Sequence, residues 1–87
     1  MAIWGADIQQ LKDLGQRLVT GAQAIEDQKS QLTKALAGTD WKGPDADRFR
    51  NEWSGQHTAA LNKVAAALKD AGQQAKKNAQ QQETASS

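Results

Sequence analysis

From Ile8 to Leu36, apolar and small residues return at steps of three and four: Ile8, Leu11, Gly15, Leu18, Ala22, Ile25, Lys29, Leu32 and Leu36. That spacing follows one stripe of an α-helix and forms a heptad seam. Leu14, Val19 and Gly21 border the stripe and widen it beyond what a two-stranded coil requires. Asp7 is placed to cap the first turn, and Gly38 suits the left-handed position that closes a helix. The pattern predicts a first helix over residues 7–37, about 45 Å long at ~1.5 Å per residue.

The pattern breaks at residues 38–43, which are predicted to form a turn. Pro44 has its φ preset and no N–H to lose, so it opens a second helix, with Asp45 and Asp47 complementing the helix dipole. Ala46, Phe49, Trp53, Ala60, Leu61, Val64, Leu68, Ala71 and Ala75 then mark an apolar stripe that predicts helix over about 44–78. Residues 79–87 are polar and non-periodic and are expected to fray as a flexible tail. Residues 1–87 therefore read as one all-α domain, an antiparallel helix-turn-helix hairpin. Each helix carries a face wider than one partner helix covers. Gly15, Gly21, Gly55 and Gly72 lie within the predicted helices, where each glycine costs about 1 kcal/mol relative to alanine. Close backbone approach would offset that cost. A second hairpin completing a four-helix bundle accounts best for these faces, with Leu11, Leu18, Ile25, Leu32, Phe49, Trp53, Leu61, Val64 and Leu68 as its seam.

Composition narrows the chemistry. A domain of 87 residues buries little core alone, and with no cysteine it has no disulfide or thiolate metal site to staple it. The net charge of +1 and the dispersed basic residues give no footprint for nucleic acid. No apolar run approaches the length of a membrane span. His57 with Ser54 is a conceivable base–nucleophile pair, but the sequence places no acid to orient the imidazole and no glycine-rich oxyanion turn. Glu52 and His57 miss the Glu-x-x-His spacing of di-iron bundles. No enzyme activity, metal or cofactor is expected.

Trp41-Lys42-Gly43 stands at the break between the two heptad-bearing helices, with Ala46, Phe49 and Trp53 following on the next helical turns. With a length under a hundred residues, this arrangement resembles the WXG100 (ESAT-6-like) family, and the resemblance covers essentially the whole chain. It implies antiparallel hairpins paired as homo- or heterodimers and exported folded by a type VII secretion system. The partners implied are another hairpin of this type and the type VII secretion ATPase, the latter through the partner subunit. Localisation would be cytoplasmic before export and secreted afterwards. The opening residues, Met1 to Asp7, carry neither a basic region nor an apolar run, so export is expected without a cleavable signal peptide.

Family members that carry the export signal have Tyr-x-x-x-Asp/Glu after the second helix. Here the matching positions are Ala79 and Glu83: the acid is present and the tyrosine absent. The resemblance thus points to the subunit without a complete signal, or to a member with a degenerate one. Trp41 either plugs the end of the helix pair or, with Gly43, borders a groove for the partner's tail. Two other classes stand as alternatives: a cytosolic adaptor or chaperone for a larger toxin, and a membrane-active hairpin. The second is disfavoured by an alanine- and glycine-rich face without a basic border.

Overall fold

A computed structural model describes residues 7–86. Trp4, whose place just before the first helix suggests packing against Ile8 or a partner, lies outside the described residues. Helix α1 (Ile8–Gly38) starts at Asp7, whose carboxylate accepts the Gln10 N–H at 2.9 Å. The return limb comprises α2 (Pro44–Glu52), a π turn (Trp53–His57) and α3 (Thr58–Ser86). Pro44 opens α2 as the spacing predicts, with Asp45 and Asp47 in its first turn. No strand occurs among the described residues. The result is an antiparallel helical hairpin measuring 63 × 18 × 13 Å. Its radius of gyration is 19.0 Å, against about 12 Å for a compact domain of this length. It is a rod, and most side chains have solvent on at least one side.

Small residues hold α1 and α3 together. The buried apolar residues among those described are all alanines: Ala22, Ala46, Ala65, Ala75 and Ala79. Gly15 and Gly72 mark the closest approach. A Cβ on Gly72 would lie 2.7 Å from the Gly15 carbonyl oxygen and 2.8 Å from Val19 Cγ2. One on Gly15 would lie 2.8 Å from the Gly72 carbonyl oxygen. These two glycines therefore serve the crossing inside the hairpin. Gly21 and Gly55 do not: a Cβ on Gly21 meets only Leu68 Cδ1 at 3.9 Å, and one on Gly55 meets nothing within 4 Å.

The turn differs from expectation at both glycines. Gly38 is not left-handed; it is the last residue of α1, which ends on extended Thr39. The positive φ falls instead on Gly43, at 120°. A Cβ there would meet nothing within 4 Å, so glycine is required by backbone conformation and not by crowding. Arg50 closes the turn. Its guanidinium donates to the carbonyls of Leu36 (Nη2, 3.0 Å), Thr39 (Nη2, 2.9 Å) and Trp41 (Nη1, 2.6 Å). A fork of N–H donors thereby satisfies carbonyls that a helix end leaves open and complements its negative dipole end.

The return limb corrects the expected stripe. The Thr58 N–H bonds to the Trp53 carbonyl, five residues back, so the π turn accommodates one more residue than an α-helix would. Upstream, Ala46, Arg50 and Trp53 face α1; downstream, the seam runs through Thr58, Leu61, Ala65, Leu68, Gly72, Ala75 and Ala79. Ala60, Val64 and Ala71, expected in the seam, are exposed because that extra residue turns them out. The expected frayed tail is also corrected: helix continues to Ser86, since Ala79 packs fully buried against α1 and Glu83 pairs with Lys12 at 2.6 Å.

Candidate partner-docking surface

The two-helix layer has two broad faces with different chemistry. On one, polar side chains bridge the helices: Lys12 to Glu83 at 2.6 Å, Lys76 to Gln16 at 2.9 Å, and Lys29 to Asn62. A shallow cleft on this face is lined by Val19, Gln23, Glu26, Asn62, Ala66 and Lys69, among others. The opposite face carries large exposed apolar side chains, with Gln10, Gln28, Gln74 and Asn78 among them. At about 100° per residue, Leu14, Gly21 and Leu32 share one side of α1 within ~20°. Ala60, Val64, Ala67 and Ala71 share the matching side of α3 by the same count, and Phe49 continues that side along α2. Among the described residues the exposed large apolar side chains are Leu14 (49%), Leu32 (45%), Trp41 (40%), Phe49 (37%) and Val64 (49%). Trp41 joins the row through Phe49.

At the turn end the aromatic side chains form a connected row. Trp41 lies 6.1 Å from Phe49, and Phe49 lies 6.3 Å from Trp53 and 6.0 Å from His57, all between ring centroids. Such tilted and stacked pairs suit the ring quadrupoles. Trp53 is anchored to α1 by its indole N–H, which donates to Thr33 Oγ1 at 2.9 Å. Trp41 is only half covered: Phe49 takes one side and the Arg50 guanidinium stands 5.8 Å from its ring. It is neither a sealed plug nor a free side chain. Arg50 went unrecognised in the sequence, where it reads as one more charge in a polar helix. The available signal was a basic residue shortly after a helix end whose carbonyls need donors.

Leu11, Leu18, Ile25, Trp53, Leu61 and Leu68 are half-buried along the seam. Leu32, Phe49 and Val64, expected with them, instead stand on the apolar face. Ala79 and Glu83 do not form a displayed motif, because Ala79 is 0% exposed and Glu83 is engaged by Lys12. Near His57 an acid does lie in reach, contrary to the sequence expectation: Glu52 Oε2 is 3.7 Å from Nε2. Ser54 Oγ donates to the Asn51 carbonyl within its own helix. Among the described residues no group of three His, Asp or Glu side chains could hold a metal ion, and no helix is long and apolar enough to cross a membrane. What this arrangement offers is an elongated apolar surface with an aromatic end. Comparison with known proteins gave no matching family model, no matching characterised protein and no matching solved structure.

Proposed function

We propose that this chain is a non-enzymatic helical hairpin that completes its core by pairing with a second hairpin into a four-helix bundle, and that the folded pair is the unit a type VII secretion system exports. One observation carries the pairing: the fully buried positions between the helices are alanine and glycine, the seam leucines stay half-buried, and Leu14, Leu32, Phe49 and Val64 stand exposed along one face. The face runs along a hairpin 63 Å long and 18 Å wide, an outline of roughly 1,100 Å² within which the ~800 Å² per partner of a stable interface would fit. Burial of such a face is worth about 25 cal/mol per Å² of apolar surface before the costs of association.

Export rests on the resemblance carried by Trp41, Gly43, Phe49 and Trp53. Burial of Ala79 supports assigning the export signal to a partner chain and not to residues 79–83. Placing a tyrosine at 79 would pry α3 from α1 instead of restoring a displayed motif. The test is secretion in a host with a type VII system, followed by immunoblot of supernatant against lysate. Trp41→Ala removes a half-exposed ring, so the pair should survive while export falls. Normal export of that variant, with the pair intact, would contradict a role for Trp41 in secretion. Retrieval of a large multidomain chain instead of a small hairpin would favour the adaptor alternative.

A further inference from the structure

We infer that the π turn at Trp53–His57 is the specificity-determining segment of the docking face: it inserts one residue of phase and so decides which residues of α3 a partner meets. This rests on the pairing proposed above. A regular α-helix continued from Ala46 and Trp53 would carry the seam through His57, Ala60, Val64 and Ala71. Gln74 and Asn78 would then enter the seam, and the docking face would present Ala59, Lys63, Ala66 and Asp70. Two charges of opposite sign would interrupt the apolar row at its centre. The extra residue moves every downstream position by about 100°. Leu61, Ala65, Gly72, Ala75 and Ala79 reach the seam, and Ala60, Val64, Ala67 and Ala71 reach the outer face. One inserted residue thus brings those residues to the seam and gives the outer face an apolar stretch from Ala60 to Ala71, which Gln74 and Asn78 continue as polar residues toward the end of α3.

Local geometry supports a built feature. The turn is closed by the Thr58 N–H to Trp53 carbonyl bond. Residues five apart are not neighbours on an α-helix, yet Glu52 and His57 stand 3.7 Å apart across the turn. The imidazole also lies 6.0 Å from Phe49 and 6.4 Å from Trp53. A Cβ on Gly55 would meet nothing within 4 Å, so the middle of the segment faces open space. On the outer face the small residues Gly21, Ala60, Ala67 and Ala71 alternate with the larger Leu14, Leu32 and Val64. The fitting occupant is a helix pair bearing leucine-sized side chains, and a second copy of this chain supplies Leu14 and Leu32 in that role. Its formal net charge of +1 sets up little repulsion between copies.

Deletion and insertion at one point test the phase. Deleting Gly55 removes the extra residue and leaves the downstream seam in register, so helicity by circular dichroism and a melting midpoint within about 5 °C of the parent are expected. Inserting one alanine after Gly55 rotates Leu61, Ala65 and Gly72 off the seam, and a midpoint at least ~15 °C lower is expected. Equal damage from deletion and insertion would mean a regular helix and would overturn the inference. Sedimentation equilibrium, with a second copy of the chain as probe, reads the face. Val64→Lys should weaken self-association at least about tenfold, roughly 1.4 kcal/mol, and Lys63→Glu should leave it within ~2-fold. The reverse order would overturn the assigned phase. A chain monomeric at every concentration would defeat pairing between copies, while the deletion–insertion contrast would still decide the π turn.

Discussion

Inside the hairpin the fully buried residues are small and tightly approached; on the opposite surface several large apolar side chains stand uncovered. Gly15 and Gly72 bring two backbones within the space of a methyl group, whereas Leu14 and Val64 each keep 49% of their surface exposed. A self-sufficient domain arranges these the other way, with large side chains within and small or polar ones outside. The contrast teaches that close approach and hydrophobic burial are separate tasks here. Glycine and alanine set the distance between α1 and α3, and the hairpin does not itself cover its exposed leucine, valine and aromatic side chains.

The comparison breaks first at the crossing. Gly72→Leu should cost about 3 kcal/mol or more, because its side chain must displace the Gly15 backbone and Val19. Chemical denaturation of the purified chain measures this, and an unchanged midpoint would mean that the helices are not held at this distance. Arg50→Ala comes next: losing charge-assisted bonds to Leu36, Thr39 and Trp41 carbonyls should cost ~1.5–3 kcal/mol. Arg50→Lys should recover only part, since an ammonium lacks the planar fork. The same denaturation curves would show it.

Substitutions on the apolar face sharpen the comparison, because their effect should depend on concentration. Leu32→Ser should change the stability of the dilute hairpin by under ~0.5 kcal/mol. At concentrations where pairs form, it should lower the melting midpoint in step with lost association. Equal loss at both concentrations would place Leu32 within the hairpin's own core. The smallest effect is expected at the π turn. Gly55→Ala adds a methyl group to open space and should be neutral or stabilising by up to ~1 kcal/mol. Clear destabilisation there would show that Gly55 has a backbone or packing role.

Much of the fold was legible because α1 is a regular helix. Ile8, Leu11, Gly15, Leu18, Ala22, Ile25, Lys29 and Leu36 turn toward the partner limb as their spacing predicts, and Asp7 caps as its residue type suggests. Legibility fails where local geometry departs from 3.6 residues per turn. Nothing in Trp53-Ser54-Gly55-Gln56-His57 announces a π turn, and everything downstream inherits the error. Leu32 lies on the border of the stripe, where spacing alone does not tell seam from face. The tail was misread because its polar composition hides Ala79 and Glu83, whose partners are some seventy residues away. Arg50 acts through carbonyls that only the folded turn gathers. On the candidate surface, Trp41 and Phe49 stood out by residue type, whereas the place of Ala60, Val64, Ala67 and Ala71 beside them emerged only once the phase of α3 was known.

The central claim is that this hairpin is half of a core. Its most direct test is thermal unfolding by circular dichroism over a hundredfold range of protein concentration, with molecular mass followed in parallel by sedimentation equilibrium. Pairing by mass action predicts a midpoint that climbs with concentration and a mass that approaches that of two chains. A sharp transition at one concentration-independent temperature, from a species that remains a monomer throughout, would contradict it.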